Sequence, residues 1–511
     1  MKIPKNLPLG QILILCMLLH IHTALSRFAH PFAYSASLPY IPMMMRYVGV
    51  PPETLGFWVG AAISSFSICQ VGTAILWGHI SDHIGRKPVI MMCSMMIMVG
   101  VLMFGFSTQL WMVLLSRAIM GFSSGDSGVI KTSLGETIKD KKLQTVAFSI
   151  LPLGLNSGWA VGPILGGLAA NPYHVEPGKP HGDRFLERYP YALPNLIATG
   201  FFFFSLFIVF FGFRESLESK RGKSDYGIML RERFVAVTSR FYNKVMSKSD
   251  EDEDKEEDDL ETSPLLSDEN SLPPAILNVA EAIPPVSENP PLATWKQVLD
   301  RQTVMCIISY SFLTMHSSSY DSIISVFMHH AKQDPSSPQM HLPFKFNGGF
   351  GSDTTEIGLM FTIFGFFCMF IPLLLVGILN RYFPVLRVFR YSCSIAILPI
   401  YLATPFTTLL PNPANFIVLS ILFALKGCIC DFGFISGSIL VARSCKIDNG
   451  RGRINGLQSM VSAMARIVGP LWAGSMLDLG ARIGYIGMGF WAGPALAVVL
   501  ALLPLSLMTD D

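Results

Sequence analysis

Apolar runs long enough to cross a bilayer recur along this chain, and that repetition limits its fold more than any other feature. After a first stretch reaching from Leu9 to Met45, runs follow at Phe57–Trp77, Val89–Phe106, Trp111–Ile130, Val146–Ala170 and Leu193–Phe213. A second set lies at Val304–Met328, Ile357–Leu379, Val388–Leu409, Phe416–Val441, Ile454–Leu477 and Tyr485–Leu507. Roughly 20 apolar residues span the hydrocarbon core, and only helices or closed barrels satisfy their own backbone there. The expectation is an all-α membrane protein of about twelve transmembrane helices in two six-helix bundles. Residues 1–213 form the first bundle, 214–298 a polar linker, and 299–511 the second. The first stretch is longer than one crossing, so it tilts, kinks at Pro31 or Pro39, or starts with an interfacial turn. Its basic start also fits a signal peptide, but the polytopic chain that follows needs its first helix.

Composition agrees with lipid as the solvent: 51% of the 511 residues are hydrophobic and 14% charged, against about 25% charged in soluble domains. The net charge of +2 comes without a basic cluster interleaved with aromatics, so no nucleic-acid partner is expected. Basic residues instead fall on alternate loops, at Arg86 and Lys87, Lys139 to Lys142, Arg214 to Lys223, Arg381 to Arg390, and Arg443 to Arg453. That pattern places both termini in the cytoplasm. The nine cysteines lie mostly inside apolar runs and imply no disulfide framework. Neither Cys428 with Cys430 nor His79, His83, His329, His330 and His341 reaches the ligand set of a metal site. Without a phosphate loop, nucleophile elbow or His-Glu-x-x-His helix, the chain reads as no enzyme and no cofactor is expected.

Polar residues inside the runs mark where a solute would pass. Arg27, His30, Tyr34 and Ser37 recur at helical spacing in the first run, as do Tyr310, Thr314, Ser317 and Asp321 in the seventh. Arg117 in the fourth run needs a partner or water, and Asp126 beyond it offers a carboxylate. Lys426, Asp431 and Arg466 are further interior candidates. The fifth run holds Gly158, Gly162, Pro163, Gly166 and Gly167, a density suited to close helix packing and bending. Its Val161-Gly162-Pro163 followed by Gly167 returns in the eleventh as Val468-Gly469-Pro470 followed by Gly474, a trace of internal duplication.

Between the second and third runs stands Trp77-Gly78-His79-Ile80-Ser81-Asp82-His83-Ile84-Gly85-Arg86-Lys87-Pro88, read as a short loop that fixes a helical hairpin. This Gly-x-x-x-Asp-x-x-Gly-Arg-Lys pattern resembles the loop signature of the major facilitator superfamily. The resemblance implies a cytoplasmic gate built of Gly78, Asp82, Gly85, Arg86 and Lys87. Arg117 with Gly121 and Gly125 is similar to the superfamily's fourth-helix motif, which implies a role in proton coupling with His30, Asp126 and Asp321 as proton-binding candidates. The glycine-rich fifth run resembles the motif associated with antiporters. Arg27 to Pro31, Leu38 to Pro42 and Trp77 to Pro88 look like the fungal branch related to the zinc-induced facilitator-like transporters, of the drug:proton antiporter group, which commonly has glutamate where this chain has His30. Together these resemblances imply alternating-access transport of a small organic solute against protons, for export or vacuolar sequestration. The rivals are an uncoupled facilitator and a non-transporting nutrient receptor on the same scaffold.

The linker adds an address. Ser249 to Glu261 is dominated by Asp and Glu and has no apolar face with which to fold. Glu261, Leu265 and Leu266 fit the acidic dileucine pattern, which resembles signals read by clathrin-adaptor complexes. The membrane is accordingly that of the vacuole or the cell surface.

Overall fold

The computed structural model describes residues 21–137, 141–178, 182–213, 299–333, 340–444 and 451–508, with scattered positions between 215 and 233. The acidic part of the linker, with Glu261, Leu265 and Leu266, lies outside the described residues. Among the described residues no strand forms, only isolated bridges.

Among the described residues the helices group into twelve crossings, several of them broken where the sequence breaks them. The first is α1 (Ile21–Ser37), with Pro31 inside it; after a turn at Pro39 the short α2 (Ile41–Tyr47) follows. The second consists of α3 (Leu55–Gln70) and α4 (Thr73–Ile84), separated at Gly72, whose φ of +84° is a left-handed conformation that favours glycine. Next come α5 (Arg86–Gly105), then α6 (Leu110–Ser123) with α7 (Asp126–Thr137), then α8 (Lys141–Ala169). The short α9 (Phe185–Arg188) precedes α10 (Ala192–Gly212), which completes the first bundle.

The second bundle opens with α11 (Arg301–His329), whose N-terminus is capped by Asp300 accepting from the Thr303 amide at 2.7 Å. It continues with α12 (Thr354–Tyr382), and with a ninth crossing made of α13 (Val385–Cys393), α14 (Leu398–Ala403) and a 3₁₀ turn at Thr404–Leu409. The last three are α15 (Ala414–Ser444), α16 (Arg451–Ile483), and α17 (Met488–Phe490) joined by a π segment to α18 (Leu496–Ser506).

Among the described residues, seven of these crossings are long and apolar enough to span a membrane on hydropathy alone. The others include the broken second and fourth and the polar seventh, where serines bond back to carbonyls of their own helix, as Ser311 does to Ile307 and Ser319 to Met315. Lipid-facing surface is plain on α10, where Phe203, Phe204 and Phe207 stand exposed, and on α18 with Leu503.

One expectation changes. The hairpin between the second and third crossings is not a loop from Trp77 to Pro88: α4 runs on through Asp82 to Ile84, and Gly85 alone, at φ +113°, makes the turn. Asp82 therefore sits on the last turn of a helix, one turn before Arg86.

Candidate transport path

The two bundles meet along a seam built by the duplicated motif. In α8, a side chain added at Gly162 would strike Ser35 and Phe32 of α1; in α16, one at Gly469 would strike Met315 and Ser319 of α11. Those contacts stay within each half. The residues that follow cross between halves: Gly358 of α12 lies against the Pro163 carbonyl and Gly167, while Gly60 of α3 lies against the Pro470 carbonyl and Gly56 against Gly474. Gly158 and Gly166 seat on Phe28 and Ala36 of α1. The same elements thus do the same work twice, which is how a pseudo-symmetric pair of bundles closes on itself.

Hydrogen bonds across the seam lie in the half remote from the Arg86 turn, here called the far end. Thr354 donates to the Gly167 carbonyl at 3.0 Å, Ser64 to the Ile467 carbonyl at 2.8 Å, and both Asp478 oxygens accept from the Gly56 and Phe57 amides at 2.7 Å. The Arg466 Nη2 to Gln70 Oε1 bond, 3.2 Å, is the last of the series toward the basic-loop end. Beyond it Gly78 of α4 and Gly456 of α16 have nothing within 4 Å of where a Cβ would sit. Among the described residues, the halves are closed at the far end and share no hydrogen bond beyond Arg466 toward the other. A cavity of about 450 Å³, lined by Arg46, Asn171, His329 and Asp353 among others, lies on the far side of this closure and away from the buried charges.

Two buried cations flank the seam. Arg117, only 1% exposed, donates to Ser37 and stacks on the Phe104 ring at 4.3 Å, with Tyr34 at 5.6 Å. Its Nε and Nη1 have no hydrogen-bond partner. Lys426 in α15, also 1% exposed, donates to Asp321 Oδ1 at 2.7 Å, Ser317 Oγ at 3.0 Å and the Ser317 carbonyl at 3.3 Å. So the polar residues picked from the seventh and tenth crossings form one buried ion pair. Asp431, one turn past Lys426, lies within electrostatic reach of it and next to Cys368. The backbone of Asp126 begins α7, but its side chain lies outside the described ones.

The first-crossing stripe divides. Tyr34 meets Phe66 and Trp159 at 5.6 and 5.5 Å between ring centres, whereas His30 sets its ring against Phe202 of α10 at 5.2 Å. Arg27 lies nearer the basic-loop end, within electrostatic reach of Lys131. Tyr310 packs on Phe434, and Thr314 donates to the Tyr310 carbonyl at 3.0 Å.

At the turn, Arg86 reaches Asp82 at 2.6 Å and Glu136 at 2.8 Å and also bonds Ser81. Glu215 accepts from the Arg86 and Lys87 amides at 2.8 and 3.1 Å, and Lys87 donates to the Phe210 carbonyl at 2.8 Å. Every one of these contacts ties crossings of the first half to one another. Burial alone would raise the Glu136 carboxyl, but hydrogen bonds from Arg86 and Ser216 and the charge of Arg86 outweigh it and hold Glu136 below its ordinary value. Sequence reading missed Glu136, Glu215, Gln70, Asp478 and the His316 to Tyr401 bond of 2.8 Å; a buried histidine in the polar seventh run was the one visible signal among them.

A family model described as Major Facilitator Superfamily matches residues 23–340. The chain belongs to that superfamily. This major facilitator protein is 29% identical over 488 residues to the Major facilitator superfamily multidrug transporter mfsB of Aspergillus fumigatus, covering 92% of this chain and 80% of the relative. It is 24% identical to Protein ZINC INDUCED FACILITATOR-LIKE 1 of Arabidopsis thaliana, covering 86% and 80%. Among solved structures, a mutant of nucleoside transporter NupG superposes with a TM-score of 0.59 at 15% identity over 95% of this chain and 99% of that one, a likeness of fold. The protein is a membrane transporter of the major facilitator type with the twelve-helix fold.

Proposed function

We propose that this transporter exchanges a small organic solute against protons by alternating access, in export from the cell or sequestration into the vacuole. The observation that carries the coupling is the Lys426–Asp321 pair, 2.7 Å apart in the middle of the second bundle. Protonating Asp321 leaves Lys426 buried and uncompensated, and breaking a buried pair in this way costs about 3–5 kcal/mol. Proton binding therefore cannot leave the local packing unchanged. Arg117, Asp126 and His30 are the further coupling candidates in the first bundle, and the multidrug relative supports a small organic solute.

In this reading the basic-loop end faces the cytoplasm, since alternate loops carry the Lys and Arg residues. Both termini and the 214–298 linker share that side, and 1–213 and 299–511 rock against each other around the seam. The state described is then open to the cytoplasm, with the Asp82, Arg86 and Lys87 cluster folded back on its own half and Gly78 awaiting a neighbour. Glu261, Leu265 and Leu266 would present a clathrin-adaptor signal that routes the protein to the vacuolar membrane; without it the plasma membrane is the destination.

Proteoliposomes holding the full chain test the function. Organic solutes supplied under an imposed pH gradient should accumulate uphill and drive a counter-movement of protons. Solute movement that ignores the gradient would favour the uncoupled facilitator, and no movement across a broad solute screen would favour the receptor.

A further inference from the structure

Arg466 sits where the closed seam ends, at the floor of the space that opens toward the basic-loop end, and its chemistry selects among solutes. Its one hydrogen bond is to a neutral acceptor, Gln70 Oε1 at 3.2 Å. The Gln70 amide is itself oriented by its Nε2 donating to Ser124 Oγ at 3.0 Å, so the oxygen faces Arg466. Among the described residues no carboxylate lies within 4.0 Å of the guanidinium. A half-buried arginine within the span of the bilayer is costly unless an anion or water meets it.

The surrounding charges do not supply that anion. Asp321 is engaged by Lys426, and Asp431 lies in the same cluster of the second bundle. Arg117, across the seam, is likewise without a carboxylate and stacks on rings instead. Both Tyr34 and Tyr310 lie within electrostatic reach of Arg466, and Tyr34 joins Trp159 and Phe66 in an aromatic wall beside it. Toward the mouth stand two more cations, Arg27 and Lys131. Asp321, though held by Lys426, also lies within electrostatic reach of Tyr34. At the floor itself the charge is Arg466, which offers an anion a planar fork of donors.

Resting on the transporter reading above, we infer that the solute is an organic anion, with a carboxylate, sulfonate or phosphate group seated on Arg466 and a flat apolar body against Tyr34, Trp159 and Phe66. Asp321 and Lys426 stay free for the proton.

The test uses the purified full chain and three probes of one shape, naphthalene sulfonate, naphthylmethylammonium and naphthol, with binding measured by calorimetry. The sulfonate should bind at least about tenfold more tightly than the other two, as a charge-assisted contact demands. Arg466→Gln should remove that preference. Should this variant fold poorly, Gln70→Glu keeps the side-chain shape, supplies Arg466 with an internal carboxylate, and should remove the preference equally. Tighter or equal binding of the ammonium or the naphthol, no binding of any probe, or an anion preference that survives both substitutions would overturn the assignment. Flux separates the two claims. Ammonium flux without sulfonate flux in proteoliposomes sinks the anion site and leaves the transporter standing, whereas selective sulfonate binding without flux of any solute leaves the site standing and removes the transport reading.

Discussion

The carboxylate of Asp478, on the eleventh crossing, accepts a hydrogen bond of 2.7 Å from the backbone amide of Gly56, at the start of the second. Its other oxygen accepts from Phe57 at the same distance, so one half of the molecule caps a helix of the other. Hydrogen bonds to a charged group contribute about 1.5–3 kcal/mol each, and these two exist only while the far end is closed.

Replacing that carboxylate should therefore open the far end. Asp478→Ala removes both charge-assisted bonds and is expected to shift the equilibrium between closed and open far ends by about a hundredfold or more. Pulsed electron paramagnetic resonance between spin labels on the far ends of α3 and α16 reads the populations. Distance distributions identical to wild type would show that the cap holds nothing.

A second expectation concerns the opposite end of the same two crossings. Gly78 and Gly456 face open space here, so Gly78→Leu and Gly456→Leu should insert and fold as the wild type does. If the halves rock, these positions approach as Gly56 and Gly474 do now, and the added side chains should slow transport by about tenfold or more. Gly474→Val, whose Cβ would meet the Gly56 carbonyl, should bias the protein the other way. Unimpaired flux in both leucine variants would argue that the basic-loop end never closes along this line.

The Arg86 cluster yields a pH dependence. Glu136 is held below its ordinary value of 4.5, so its contribution to stability is fully present above that value and lost as the pH falls through the lower folded-state value. Melting temperatures of wild type and Glu136→Gln should differ at neutral pH, begin to approach one another as the pH falls below about 4.5, and meet only below the lower folded-state value. A gap that persists unchanged into acid would mean that Glu136 contributes packing and not charge.

How much of this was legible in the sequence follows from the distance over which each contact acts. The crossings were readable because apolar length is local, and the duplicated Val-Gly-Pro motif because repetition is visible without structure. Arg117 and Ser37 each stand out as polar residues within apolar runs, as do Lys426 and Asp321, but their pairing is not legible, since the members lie 80 and 105 residues apart in the chain. Asp478 gave no signal at all. It is one acidic residue near the end of an apolar run, and its donors are backbone amides 422 and 421 residues away. The turn at Gly85 was misjudged as a longer loop because the polar stretch before it looks unfit for a helix; Asp82 is tolerated there because Arg86, four residues on, pairs with it.

The central claim is that Asp321 carries the proton whose release and uptake drive the solute. Asp321→Asn mimics the protonated residue permanently, and Lys426→Met paired with it removes the stranded charge that would otherwise confuse folding with function. In proteoliposomes under an imposed pH gradient, the double variant should still exchange solute at equal concentrations on both sides, yet fail to accumulate it uphill. Uphill accumulation at the wild-type level in that variant would contradict the account.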